Sequence, residues 1–244
     1  MQATFRIWRS RTGEAGSFTD YRTEVSEGMV VLDAVHQIQA EHAPDLACRW
    51  NCKAGKCGSC SAEINGRPRL MCMSRLNTLN LDEPVTVEPM RTFPLIKDLV
   101  TDVSWNYRVK QGITRFTPKP PEADGTWRMS QKDADRVQEF RKCIECFLCQ
   151  DVCHVLRDHG KHDAFIGPRF FTYSAALEMH PLDAGDRLPA LKDAQGLGYC
   201  NITKCCTRVC PEHIHITDNA IIPLKERVVD RFYDPVTRLL RMFR

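Results

Sequence analysis

The sequence predicts an α+β chain in two parts, a strand-rich N-terminal part over residues 1–105 and a helical part over 106–244. Three observations carry this. Short alternating runs of β-forming residues, separated by turn residues, fill the first part. Apolar residues at helical spacing dominate the second. The thirteen cysteines fall in three tight clusters, one in the first part and two in the second.

The elements follow in order. Residues 4–8, TFRIW, alternate and read as a strand, GEAGS at 13–17 is a turn, and FTDYRTEV at 18–25 completes a hairpin. In MVVLDAVHQIQAEH, 29–42, Val31, Leu32, Val35 and Ile38 recur at helical spacing, and Pro44 ends the helix. SAEING followed by RPRLMC reads as a second hairpin around an Asn-Gly turn. PVTVEPM, 84–90, is a last short strand. Residues 92–116 carry a helical apolar pattern and predict one or two amphipathic helices, and TPKPPEADGT, 117–126, is a loop. QKDADRVQEFRKCIEC, 131–146, predicts a helix running into a cysteine cluster. Gly167-Pro168 opens another, because proline suits the first helical turn. A Thr/Asp signal at 217 opens a C-terminal helix. No internal repeat or low-complexity tract is visible.

Composition narrows the function. Of 244 residues 43% are hydrophobic, enough for ordinary cores, and a net charge of +3 is too small to imply nucleic acid. No run is apolar and uncharged for the roughly 18 residues of a membrane span. MQATFRIWRS has no signal-peptide core and is too short before the first strand for a transit peptide, which predicts a reducing compartment. An odd number of cysteines there points to metal or iron–sulfur ligation rather than disulfides.

The first cluster, CKAGKCGSC with Cys72, spaces Cys52, Cys57, Cys60 and Cys72 as C-x4-C-x2-C-x11-C, the plant-type [2Fe–2S] pattern. Gly55 and Gly58 let the backbone approach closely and aim N–H groups at sulfur. A zinc module would want two C-x2-C knuckles, and only Cys57 and Cys60 are so spaced. The second cluster, CIECFLCQDVC, is the bacterial C-x2-C-x2-C-x3-C run, in which the fourth cysteine serves the other cluster. Cys143, Cys146 and Cys149 therefore take Cys210 as the fourth [4Fe–4S] ligand. Cys153 joins Cys200 and Cys206. In CNITKCCTRVCP, Thr203 stands where that site's fourth cysteine belongs, which predicts a [3Fe–4S] cluster with one empty corner. Cys48 and Cys205 are left over as small, half-buried thiols, with Cys205 as a fourth ligand the alternative. His154, His159, His162, His213 and His215 read as surface or capping residues, and VVDRFYDPVTRLLRMFR as a packed helix and solvated tail rather than a membrane anchor.

This arrangement resembles the iron–sulfur subunits of succinate dehydrogenase and fumarate reductase over almost the whole chain. RTFPLIKDLVTD at 91–102, FRKCIECFLCQDVC, the helix opened by Gly167-Pro168, and CTRVCP carry the resemblance. It implies a plant-ferredoxin-like β-grasp domain followed by an all-helical bacterial-ferredoxin-like domain. It also implies an FAD-containing flavoprotein partner and membrane-anchor subunits bearing a quinone site, with haem or another redox centre in the anchor as an option. The location implied is the cytoplasmic face of the bacterial inner membrane. Electrons from succinate oxidation in the partner would cross this chain from [2Fe–2S] through [4Fe–4S] to [3Fe–4S], with no substrate site in the chain itself. Fumarate reduction reverses the flow, and relay service to another flavoenzyme is a further alternative. Members that reduce ubiquinone commonly carry Pro and then Trp after the cysteine at 153, and His after the cysteine at 200. This chain has HVLRDHGKHDAF and Asn201 there, so the resemblance leaves a menaquinone in a differently built site, or another redox centre, as the acceptor.

Overall fold

The computed structural model describes residues 1–235. The backbone divides into two units. The first comprises Met1–Ser104, Ile144–Val152 and Val209–Pro211; the second comprises Trp105–Cys143, Cys153–Arg208 and the residues from Glu212 onward. The expectation of an α+β chain holds, with a mixed sheet in the first unit and helices in the second.

In the first unit β1 (Gln2–Arg9) and β2 (Ser17–Glu24) pair antiparallel, with Phe5 opposite Tyr21 and Arg6 opposite Asp20. The alternation of β1 sends Ala3, Phe5 and Ile7 inward. Helix α1 (Val31–Glu41) buries Val31, Leu32, Val35 and Ile38, the stripe read from the sequence. Strands β3 (Ser61–Ile64) and β4 (Arg67–Leu70) join through Asn65 and Gly66, both at positive φ (49° and 70°), as an Asn-Gly hairpin turn requires. β5 (Val85–Glu88) lies parallel to β1 and antiparallel to β3, giving the order β2-β1-β5-β3-β4. Phe5, Ile7, Leu32, Ile38, Ile64 and Val87 are all at most 1% exposed, and each such side chain contributes about 1.5–3 kcal/mol.

The pattern over 92–116 is helical only in its second half. β6 (Leu95–Lys97) and β7 (Val100–Thr101) form a small hairpin, and α2 (Ser104–Gln111) follows. Asp98, 2% exposed, is the physical reason. Its carboxylate accepts from Arg9 Nε (3.0 Å), Ser10 N (3.0 Å) and Ala47 N (2.8 Å), bonds that a helix would forgo.

In the second unit α3 (Gln131–Gln138) starts at Ser130, whose hydroxyl accepts from Asp133 N. It tightens into a 3₁₀ turn at Glu139–Lys142 and stops before Cys143, short of the predicted 146. α6 (Pro168–Glu178) buries Phe170, Phe171 and Ala175 and packs against a π-helical stretch, Ile216–Ile221. That stretch continues as α9 (Ile222–Phe232). Short helices α5 (His154–Arg157), α7 (Leu188–Asp193) and α8 (Cys205–Arg208) belong to this unit too, whereas α4 (Leu148–Asp151) belongs to the first. Arg187, 1% exposed, ties the loops together. It donates to Asp183 Oδ2 (2.8 Å) and to the carbonyls of Thr114 (2.8 Å), Arg115 (2.7 Å) and Gly185 (3.2 Å). Residues 236–244, the end of the predicted tail, lie outside the described residues. Among the described residues no helix is long and apolar enough to cross a membrane.

Candidate metal centres

The loop between α1 and β3 carries Cys52, Cys57 and Cys60, and a 3₁₀ turn at Met71–Met73 carries Cys72. Cys60 and Cys72 are buried, and Met71 N donates to Cys60 O at 3.0 Å, which holds the two positions side by side. The loop's amides point at sulfur. Ala54 N and Lys56 N donate to Cys52 Sγ at 3.4 and 3.3 Å. This course needs positive φ at Lys53, Gly55 and Gly58. Burial alone would push the Cys57 thiol up, but hydrogen bonds from Cys52 and Ser59 outweigh it and bring it down to about 7. Burial pushes Cys60 up to about 12. Amides aimed at a sulfur stabilise it as a thiolate, the form an iron–sulfur cluster takes, so this donor set fits a [2Fe–2S] group.

Gly58 also meets the second cysteine run. A Cβ built on it would stand 2.6 Å from Cys146 Cα, so the two backbones touch. Ser61 clamps the contact, its hydroxyl lying 2.9 Å from the carbonyls of both Gly58 and Cys146. Thr92 N donates to Asp151 Oδ1 at 3.1 Å, and the Phe93 and Phe147 rings meet edge-on at 6.3 Å. Cys146 and Cys149 are thus held in the same packed unit as the first loop, together with Cys210. Cys143 falls in the second unit, directly before the boundary at Ile144.

Residues 143–153 and 200–210 follow the same local backbone course. Glu145 and Phe147 have φ of 55° and 62°, and Ile202 and Lys204, at the matching positions, have 62° and 60°. A one-turn helix follows each pair, α4 in one and α8 in the other, closed by Asp151 N to Phe147 O (3.0 Å) and Arg208 N to Lys204 O (3.2 Å). A β-branched isoleucine at positive φ is strained, which marks this turn as held in place by its surroundings. In this correspondence Cys200 matches Cys143, Cys206 matches Cys149, and Thr203 matches Cys146. Cys205 matches Leu148.

Cys153, Cys200 and Cys206 line one small cavity of the second unit together with Thr203, Cys205 and His154. Burial pushes the Cys153 thiol up to about 11. Three soft sulfur donors around one cavity, with threonine at the fourth position, fit a cluster bound at three corners. Cys205 is less bland than its sequence reading. Hydrogen bonding with Cys206 brings its thiol down to about 5 against burial, with Thr203 and His154 adding to the effect; Thr203 Oγ1 lies 3.3 Å away. His154 likewise faces the cavity rather than serving only as a cap, whereas His215 pairs with Glu139 at 2.8 Å. Cys48 matches its expectation as a half-buried thiol, pushed up to about 12 by burial. Reading the sequence alone gave Ser61 no role and Thr217 only that of a helix start; through the fold Ser61 reaches the Cys146 carbonyl and Thr217, inside the helical stretch Ile216–Ile221, reaches the Cys206 sulfur.

Known proteins resemble this chain along most of its length. Residues 4–107 match the family model of a 2Fe-2S iron-sulfur cluster binding domain, and residues 139–214 that of a 4Fe-4S dicluster domain. The fumarate reductase iron-sulfur subunit of Mycobacterium tuberculosis is 33% identical over 213 residues, 85% of this chain and 84% of that protein. The succinate dehydrogenase iron-sulfur subunit of Paracoccus denitrificans is 29% identical over 228 residues, 92% of this chain and 86% of that one. A chain of the Mycobacterium smegmatis Sdh1 complex in the apo form has a TM-score of 0.92 at 62% identity, across 96% of this chain and 98% of its own length. The iron–sulfur expectation is borne out and the zinc-module alternative falls. The chain belongs to the family of succinate dehydrogenase and fumarate reductase iron–sulfur subunits, which carry [2Fe–2S], [4Fe–4S] and [3Fe–4S] clusters and transfer electrons within oxidoreductase complexes.

Proposed function

We propose that this chain serves a succinate dehydrogenase as its electron relay, with Cys52, Cys57, Cys60 and Cys72 holding [2Fe–2S]. In the same reading Cys143, Cys146, Cys149 and Cys210 hold [4Fe–4S], and Cys153, Cys200 and Cys206 hold [3Fe–4S]. When bound, the three clusters supply one-electron carriage from an FAD-containing flavoprotein subunit toward an acceptor in a membrane-anchor subunit and the quinone pool. The chain's own residues aim amides at Cys52, press the Gly58 backbone onto that of Cys146, and withhold a fourth thiolate at Thr203. Residues 1–105 act as a plant-type β-grasp ferredoxin domain, supported by the parallel β1–β5 pair at the centre of the mixed sheet with α1 against it. Residues 106–244 act as a helical, bacterial-ferredoxin-like domain. The chain sits peripherally on the cytoplasmic face of the inner membrane, held there by the anchor.

The observation that carries the ligand assignment is the shared backbone course of 143–153 and 200–210, which differ at the second ligand position, Cys146 against Thr203. Electron paramagnetic resonance of the purified complex, oxidised and then reduced with dithionite, tests it. Three cluster types are expected, with the [3Fe–4S] resonance present in the oxidised sample. Absence of that resonance from an iron-replete oxidised complex refutes the three-ligand site.

A further inference from the structure

One side chain that the cysteine motifs do not mark meets a sulfur of the proposed [3Fe–4S] site. Thr217 Oγ1 lies 3.5 Å from Cys206 Sγ, and Thr217 is 1% exposed. It stands in the first turn of the π-helical stretch Ile216–Ile221, where backbone N–H groups lack partners within the helix. Thr207, on α8, supplies one. Thr207 Oγ1 accepts from Thr217 N at 3.1 Å and donates its own proton to Thr217 Oγ1 at 3.1 Å.

A hydroxyl has one proton and two lone pairs. Thr207 uses its proton on Thr217 Oγ1, so Thr217 receives there and keeps its own proton for a second partner. Cys206, one residue before Thr207, places its sulfur 3.5 Å from that hydroxyl. A cluster-bound cysteine is a thiolate and can only accept. We infer that Thr217 donates a hydrogen bond to the Cys206 thiolate, that Thr207 locks its direction, and that this pair raises the reduction potential of the terminal cluster. The inference rests on the reading of Cys206 as a [3Fe–4S] ligand.

The sign follows from charge. Reduction adds an electron to the cluster and makes its sulfurs better acceptors, and hydrogen bonds to charged acceptors are the stronger ones. The bond therefore strengthens on reduction and stabilises the reduced state. Burial keeps water from substituting for the lost donor. Thr217 is a positioning residue acting through Cys206 and touches no substrate.

The test is a redox titration of the purified complex followed by electron paramagnetic resonance. Thr217→Val, nearly isosteric and without a donor, lowers the [3Fe–4S] potential by about a tenfold change in the oxidised-to-reduced ratio, ~59 mV for one electron. The [2Fe–2S] and [4Fe–4S] potentials stay put. Thr217→Ser restores the wild-type value. Should Thr217→Val fail to assemble the cluster, Thr207→Val takes its place: it frees the Thr217 hydroxyl to rotate and produces a smaller shift in the same direction. A wild-type potential in Thr217→Val, or in Thr207→Val where the first variant does not assemble, overturns the inference while leaving the cluster assignment intact. Absence of the [3Fe–4S] resonance from the wild-type complex is instead the failure of the assignment itself.

Discussion

Gly58→Ala is the substitution whose cost the structure states most directly, because Gly66 provides a matched control. Both glycines sit at φ +70°, so an alanine at either position incurs the same left-handed strain, about 1–2 kcal/mol. Around Gly66 a new Cβ meets nothing within 4 Å. Around Gly58 it meets Cys146 Cα at 2.6 Å, Cys146 Cβ at 2.9 Å and Cys146 N at 3.0 Å. These neighbours are backbone and a Cβ, which no rotamer change can move aside, so overpacking adds about 1–3 kcal/mol. Gly58→Ala should cost about 2–5 kcal/mol against about 1–2 kcal/mol for Gly66→Ala. At roughly 2–4 °C per kcal/mol for a chain of this size, that is a loss of about 4–20 °C against about 2–8 °C. The assay is loss of the [2Fe–2S] circular dichroism on heating the purified complex at one fixed scan rate. The electron-transfer rate between the first two clusters should fall as well, since the shift moves the two loops apart. If Gly58→Ala melts no earlier than Gly66→Ala, the first loop does not rest on the Cys146 backbone, and the contact at the heart of the proposed relay is wrong.

Four further outcomes are expected. Cys153→Ser should weaken the [3Fe–4S] resonance first and Cys210→Ser the [4Fe–4S] signal, each against its neighbours in sequence; damage confined to the neighbouring cluster in both variants would undo the crossed assignment. Thr203→Cys places a thiolate at the position matching Cys146, so the oxidised [3Fe–4S] resonance should vanish while the chain gains about one iron, a change read by iron analysis and resonance together. Cys48→Ala and Cys205→Ala should leave iron content unchanged, and iron loss from the second would make Cys205 a ligand. Arg187→Met strands the buried Asp183 carboxylate and should cost about 3–5 kcal/mol, seen as a fall in melting temperature; a change within 1 °C would mean the pair is not load-sharing in the assembled complex.

What was legible in the sequence was local. The β1–β2 hairpin, α1 and the Asn65-Gly66 turn obey patterns that repeat every two residues, every three to four, or within one dipeptide. The candidate cysteines were legible for a related reason, since the C-x4-C-x2-C and C-x2-C-x2-C-x3-C spacings are each written within a short stretch. The hairpin at β6–β7 was read as helix because its identity is decided by Asp98 reaching Arg9, Ser10 and Ala47, partners far away in sequence. The likeness of 143–153 to 200–210 was half visible in the cysteine skeleton. The remainder lay in four positive φ values carried by glutamate, phenylalanine, isoleucine and lysine, residue types that announce no such turn. Thr207 gave no signal and Thr217 only a helix start, for the same reason as Asp98: a hydroxyl comes within reach of a distant cysteine sulfur only when the fold brings it there.

The first unit recruits Ile144–Val152 and Val209–Pro211 into its packing, and this has a consequence for biosynthesis. A ribosome that has released residues up to Ser104 has made every strand of the five-stranded sheet, yet the nascent fold still lacks several members. Leu148 is missing from the core, Cys146 O is absent as a partner for Ser61, and Asp151 is not yet there for Thr92. At about 5–20 residues per second, the wait until Pro211 emerges is on the order of ten seconds. During that interval the N-terminal sheet is an unfinished module with an open apolar seam, dependent on chaperones or its own tolerance of exposure. A fragment ending near residue 105 would lack those partners, so a fusion that borrows the N-terminal sheet with its full packing must bring residues 144–152 along.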